Sequence, residues 1–246
     1  MKLFLTSSPC DDNVPAHMHL PCCFFEKNDF IRNLKRVWKQ NARCLVISAD
    51  PYNFELNNEM SYTFHRAFLY HGMIPESVRI CDARNDYHIR DLVEASDMII
   101  LGGGHVPTQM AFFEKIGLRE LLKEYQGIVM GISAGSMNCA DIVYAQPEED
   151  GESVDPEYRK FFPGLELTKY QILPHYQKVK DNILDGRRLY EDIIYQDSDQ
   201  QRFYALPDSS YILQDENGAV LYGEAYLVQD GKLTKICRDG ESLTLR

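Results

Sequence analysis

A glycine-flanked serine constrains this chain more than any other feature: Gly131-Ile132-Ser133-Ala134-Gly135. The apolar run Ile128-Val129-Met130 leads into it, and the helix-compatible segment Ser136-Met137-Asn138-Cys139-Ala140 leads out. A G-x-S-x-G between a strand and a helix is the pattern of a nucleophile elbow. The glycines let the backbone turn sharply, so the serine sits exposed on a strained corner. A general base can reach its hydroxyl there, and a helix N-terminus behind it favours developing negative charge. The chemistry this predicts is that of a serine hydrolase.

The rest of the chain supplies the alternation such a corner needs. Leu3 to Ser7 reads as a strand, Asp29 to Gln40 as a helix, Cys44 to Ser48 as a strand and Glu55 to His71 as a helix. Strands follow at Val78 to Cys81 and Met98 to Leu101, with a short helix at Asp91 to Ala95 between them. Helical segments from Pro107 to Glu124 then precede the strand Ile128 to Ile132. Alternation of this kind predicts an α/β parallel-sheet three-layer sandwich, flavodoxin-like, with helices on both faces. Beyond residue 140 the pattern changes. Residues 145 to 164 read as a polar, acidic, proline-containing loop, Leu167 to Leu173 as a strand, and Asn182 to Gln196 as mainly helical. Short strands are expected at Phe203 to Leu206, Tyr211 to Leu213, Val220 to Tyr222 and Tyr226 to Val228, with turns at Asn217-Gly218 and Asp230-Gly231. They predict a small antiparallel addition at the C-terminal edge of one domain spanning residues 1–246.

With 246 residues, 44% of them hydrophobic, one substantial core is within reach. A net charge of -11 argues against nucleic acid and against an anionic membrane surface, both of which need a basic face. No apolar run is long enough to span a membrane, and the opening Met1 to Ser7 is too short for a signal peptide. Seven scattered cysteines suggest reduced thiols, hence a cytoplasmic location by default. A homodimer is compatible with the chain, and nothing in it specifies one.

A serine nucleophile needs a base. His175 is the sole histidine downstream of Ser133, in Ile172-Leu173-Pro174-His175-Tyr176, where a proline stops a strand and opens a loop. Open α/β sheets place their sites in such loops. The third member should be a carboxylate that holds the imidazole tautomer. Asp208, in Leu206-Pro207-Asp208-Ser209, again follows a short strand, but Glu148, Glu149 and Asp150 compete with it. The oxyanion needs backbone donors. The Ala134 N–H is one, and Gly103 or Gly104 of Leu101-Gly102-Gly103-Gly104-His105 offers another. No lysine stands at the spacing of a phosphate loop, which argues against a nucleotide.

Together these pieces resemble the peptidase E (aspartyl dipeptidase) family, which has the class I glutamine amidotransferase-like fold. Its Gly-x-Ser-Ala-Gly elbow matches Ser133, its Pro-His motif matches Pro174-His175, and its Leu-Pro-Glu-Gly-like motif has its counterpart in Leu206-Pro207-Asp208, with Asp in place of Glu. A strand ending in Gly-Gly matches Gly102 to Gly104, and a further acidic residue after the elbow falls at Glu148. The likeness spans residues 98 to 224 in the family's motif order, whereas α/β-hydrolases run Ser, acid, His. It implies a serine-type peptidase acting on short peptides with an N-terminal Asp, through Ser133, His175 and Asp208 and an acyl-enzyme, with no metal and no organic cofactor. Glu148 and His105 would touch substrate or supply an acid. The sequence His105-Val106-Pro107-Thr108-Gln109 departs from the family's usual Asn-Thr continuation, and Cys10 to Phe25 is idiosyncratic. An acidic substrate side chain would need a cation, for which Lys169, Lys178, Arg187 and Arg188 are available.

Two other readings compete. His17-Met18-His19 with Cys22-Cys23 invites a metal site, though adjacent cysteines fit zinc spacing poorly. An amidase or esterase on a non-peptide substrate, or a catalytically silent binding member of the same fold, would carry the same elbow.

Overall fold

The computed structural model describes residues 1–245. Its centre is an eight-stranded sheet. Five strands are parallel: β1 (Lys2–Thr6), β2 (Ala42–Ile47), β3 (Pro75–Cys81), β4 (Met98–Leu101) and β5 (Ile128–Ile132). They stand in the order β1-β5-β4-β2-β3, so the elbow strand β5 lies between β1 and β4. These short strands alternate strictly between two cores, as the period of 2 requires. Leu3, Leu5, Leu45, Ile47, Ile99, Leu101 and Val129 face one side. Phe4, Cys44, Val46, Met98, Ile100, Ile128 and Met130 face the other.

Helices cover both faces. α1 (Phe30–Val37) and α2 (Phe54–Tyr70) lie on the second side. In α2 the buried Met60, Phe64, Ala67 and Phe68 follow the spacing of one helical face. Its start is capped by Asn53, whose side chain accepts the Leu56 N–H at 3.3 Å. On the first side lie α3 (Ile89–Glu94), α4 (Val106–Lys115) and α5 (Leu118–Lys123). The helical segments expected from Pro107 to Glu124 are α4 and α5, separated where Gly117 takes φ 64°.

The helix after the elbow, α6 (Ala134–Met137), is a single turn. The chain then makes strands β6 (Ile142–Tyr144) and β7 (Phe161–Pro163), which pair antiparallel at the two ends of the acidic loop. The strand expected over Leu167 to Leu173 contracts to β8 (Gln171–Leu173). Its first half is held instead by backbone bonds to the segment after the elbow, Leu167 N–H to Cys139 O among them at 2.9 Å. The helical expectation for Asn182 to Gln196 also needs correction. After one turn, α7 (Tyr176–Val179), residues 183–188 form a tight hairpin, β9 (Ile183–Leu184) with β10 (Arg187–Arg188). Asp185 at φ 51° and Gly186 at φ 77° make its turn. Helical structure resumes as a π-helical stretch, Leu189–Ile194, running into α8 (Tyr195–Asp197).

The C-terminal strands divide between two sheets. β12 (Tyr211–Asp215), β13 (Gly218–Tyr222) and β16 (Ser242–Leu245) extend the central sheet antiparallel from β1. β11 (Phe203–Ala205), β14 (Ala225–Gln229) and β15 (Lys232–Cys237) join β8 in a separate four-stranded sheet. Within it β8 and β11 are parallel, so their following loops emerge side by side. Among the described residues no helix is long and apolar enough to cross a membrane.

Candidate active site

The ends of β1, β4 and β5 converge on Ser133. Its backbone takes φ 50° and ψ -115°, a strained conformation for a residue with a side chain, costing on the order of 1–3 kcal/mol. The strain is held by the Ser133 N–H, shared between Thr6 O at 3.1 Å and Ser7 O at 3.0 Å. The flanking glycines are required by close approach. A Cβ on Gly131 would lie 2.6 Å from the Ser136 backbone, and one on Gly135 would lie 2.2 Å from Leu101 O. Gly135→Ala should therefore destabilise the fold by about 3 kcal/mol, the upper range for overpacking, because the clash is with backbone. Denaturant unfolding measures it, and an unchanged midpoint would contradict this packing.

His175 and Asp208 arrive from the neighbouring ends of β8 and β11. Ser133 Oγ lies 2.9 Å from His175 Nε2, and His175 Nδ1 lies 2.7 Å from Asp208 Oδ1. Three further side chains hold this chain. Ser7 Oγ accepts the His175 N–H at 2.7 Å and donates to Asp208 Oδ1 at 2.9 Å. Gln177 Nε2 donates to Asp208 Oδ2 at 2.7 Å, while Gln177 Oε1 accepts the Asp208 N–H at 3.0 Å. Lys178 Nζ sits 2.8 Å from Asp208 Oδ2. Burial pushes the Asp208 carboxyl up, but the hydrogen bonds and charges of His175 and Lys178 outweigh it and hold the group well below the usual carboxylate range.

Of the carboxylates that competed for His175, Asp208 touches it. Glu148 does not, and its carboxylate has no hydrogen bond or ion pair among the described residues. Glu148 instead lines a cleft of about 300 Å³ beside Ser133 and His175, with Gln146, Pro147, Pro174, Val179, Asn182, Ile183, Leu184 and Leu189. Its carboxyl is pushed up to about 7, by the crowded cleft wall first and by the Glu152 and Glu149 carboxylates second. Water still reaches it, because Glu148 is exposed on its outer side.

The glycine loop approaches from β4. A Cβ on Gly103 would lie 3.4 Å from that of Ser133, so loop and elbow are in contact. The N–H groups of Gly103, Gly104 and Ala134 donate to no other group among the described residues. With α6 reduced to one turn, no extended helix dipole stands behind these amides. Two buried amides brace the loop. Gln109 Nε2 donates to Gly102 O at 2.6 Å, and Asn138 Nδ2 donates to Gln109 Oε1 at 3.0 Å and to Val106 O at 3.1 Å. The sequence offered no signal for Gln109, Asn138 or Ser7, whose partners are set by folding.

His105 turns away from the serine. Its Nδ1 meets Thr108 Oγ1 at 2.7 Å and its Nε2 meets Glu152 Oε1 at 2.8 Å. Glu152 Oε2 also accepts the N–H groups of Glu148 and Glu149, so His105 ties the acidic loop to the glycine loop. His105, Glu149 and Glu152 are the one grouping among the described residues that could hold a metal, with ligand atoms within 4.8 Å of one another. The His17, His19, Cys22 and Cys23 segment forms no such grouping. His19 pairs with Glu59 at 2.8 Å, and Cys23 Sγ lies 3.5 Å from His71 Nε2. None of the four cations named for an acidic substrate lines the cleft. Lys178 pairs with Asp12 and Asp208, Arg188 with Asp192, and Lys169 lies over the Tyr170 ring. Arg187 donates to the Ser153 and Asp192 carbonyls.

The α/β sandwich fold is shared with solved peptidases. A peptidase from an acI-B1 Actinobacterium superposes with a TM-score of 0.67 at 13% identity, covering 99% of this chain and 96% of that one. A candidate peptidase E protein from Listeria monocytogenes EGD-e superposes with a TM-score of 0.61 at 17% identity, covering 89% and 96%. At these identities the likeness concerns the fold. The chain belongs to peptidase family S51, whose family model matches residues 28–222. No curated protein matches it.

Proposed function

We propose that this protein is a serine-type peptidase that cleaves short peptides through an acyl-enzyme, with Ser133 as nucleophile, His175 as base and Asp208 as the carboxylate that orients it. The observation that carries this reading is the continuous chain from Ser133 Oγ to His175 Nε2 and from His175 Nδ1 to Asp208, at 2.9 and 2.7 Å. Ser133 attacks the peptide carbonyl as His175 takes its proton, and the Ala134 and Gly103 or Gly104 N–H groups receive the oxyanion. His175 then protonates the leaving amine, and water releases the acyl group along the reverse path. Every step uses groups of this chain.

The N-terminal Asp preference implied by the peptidase E likeness is a finer matter. Hydrolysis of a dipeptide panel with acidic, neutral and basic first residues, run with wild type and Ser133→Ala, tests both levels. Turnover lost in the variant supports the serine mechanism, and the ranking reports specificity. No turnover of any peptide by wild type would sink the peptidase reading.

The brace under the glycine loop makes a further expectation. Gln109→Ala frees the Gly102 carbonyl and lets the loop drift, so kcat should fall by up to about 10²-fold with KM little changed. A change confined to KM would show that the loop binds substrate and leaves the oxyanion alone.

A further inference from the structure

The cleft beside Ser133 is lined by apolar and polar side chains together. Pro147, Pro174, Val179, Ile183, Leu184 and Leu189 supply the apolar surface, and Gln146, Glu148 and Asn182 carry the polar groups. No lysine or arginine lines it, so Glu148 brings the one carboxylate and His175 the one titratable base. That carboxylate is unpartnered. Gln146, 4% exposed, has a side-chain oxygen with no hydrogen-bond partner. Leaving a buried amide unmatched is costly, and such a group in a cleft wall awaits a polar ligand.

We infer that this cleft is a subsite for a basic side chain, one of the lysine or arginine class, on the acyl side of the scissile bond. The inference rests on the serine-peptidase reading only for which side of the bond the cleft serves. An apolar stem would lie along Val179, Ile183, Leu184 and Leu189, as long cationic side chains do on apolar surface. Its charged tip would meet Glu148, and the Gln146 amide can rotate to present oxygen or nitrogen to it.

Glu148 is also held ready. Glu152 accepts its N–H at 2.7 Å and is tied to His105 at 2.8 Å. On the far side of the loop, Asp185 accepts the Gly151 N–H at 2.8 Å and the Ser153 hydroxyl at 2.8 Å. The segment bearing Glu148 is thus clamped between the glycine loop and the β9–β10 hairpin. Three carboxylates, Glu148, Glu149 and Glu152, crowd this loop, and a cationic occupant relieves their repulsion. An aspartate in the same cleft would add a fourth negative charge. The overall charge of -11 further favours approach of cationic peptides.

Binding of Arg-Ala, citrulline-Ala and Asp-Ala to the Ser133→Ala protein, measured by calorimetry, tests the subsite without requiring turnover. Citrulline keeps the shape of arginine and removes its charge. Arg-Ala should bind at least about tenfold tighter than citrulline-Ala, with Asp-Ala weakest, a difference of one charge-assisted hydrogen bond. Adding Glu148→Gln should bring the arginine-to-citrulline ratio towards one, and Glu148→Lys should shift the order towards Asp-Ala. Equal binding of Arg-Ala and citrulline-Ala, tightest binding of Asp-Ala, or no binding of any of the three overturns the subsite. So does an arginine advantage that survives Glu148→Gln. Equal weakening of all three peptides by Glu148→Gln would assign the carboxylate to the α-ammonium and overturn it as well. Tight Arg-Ala binding without hydrolysis by wild type would instead keep the subsite and sink the peptidase reading.

Discussion

Ser133→Ala is expected to lower kcat/KM for the best peptide substrate by about 10⁴-fold or more, leaving only what binding and the backbone donors contribute. The size follows from the mechanism, because among the described residues no other hydroxyl stands within hydrogen-bonding distance of His175 Nε2. Cys139 offers no replacement. It lies 0% exposed in the core beneath the elbow, its Sγ donates to Gly135 O, and burial pushes its thiol far above the ordinary range. The substitution also removes nothing that the fold needs, since the strain at Ser133 is held by its N–H. Circular dichroism and the unfolding midpoint should therefore match wild type while turnover disappears. Retained hydrolysis in a folded Ser133→Ala protein would move the nucleophile elsewhere.

Asp208→Asn should do nearly as much, on the order of 10⁴-fold in kcat, because the amide steers His175 into the wrong tautomer. Here the effect extends to stability. The folded carboxyl is held below its unfolded value, so it stabilises the protein fully above the unfolded range near pH 4. That contribution is lost as pH falls through the folded value. At pH 7 the substitution should therefore cost about 2 kcal/mol in unfolding free energy, and the difference from wild type should shrink on acidification. A loss of stability that does not depend on pH would assign the cost to packing alone. Glu148 has the opposite sign. Its carboxyl is raised to about 7, so it stabilises the folded state at acid pH and that stabilisation is lost as pH rises towards 7. Asp208 and Glu148, two of the carboxylates that the sequence left in competition, are thus separable by a single pair of unfolding curves.

Much of this site was legible because its local chemistry is sequence-bound. The elbow announces itself through Gly131 and Gly135, which backbone contacts at 2.6 and 2.2 Å make obligatory. His175 had no rival downstream, and Pro174 marked the end of its strand. Asp208 could not be preferred over Glu148 from sequence, because the choice depends on β8 and β11 pairing in parallel across the residues 174–202 between them. The hairpin at 183–188 was misread as helix because its apolar and basic residues fit either period. The Asp185-Gly186 turn was the contrary signal, and it prevailed. β15 and β16 went unforeseen: their exposed, lysine- and threonine-bearing sequences carry little hydrophobic pattern, and each is recruited by a strand already in place. Ser7, Gln109 and Asn138 were invisible for a simpler reason. Each is an ordinary polar residue until the fold supplies its partner.

The position of β1 has a consequence for when this protein can act. Residues 2–6 pair with residues 128–132 on one side and with residues 211–214 on the other. Thr6 and Ser7 carry the elbow, and the Ser7 hydroxyl touches both His175 and Asp208. At the pace of a ribosome, on the order of ten residues each second, the first strand waits on the order of ten seconds for its first neighbour and longer for its second. Until the late strand is delivered, the histidine and the aspartate have nothing to stand on. The arrangement of Ser133, His175 and Asp208 is therefore complete only after translation has passed the last of these parts.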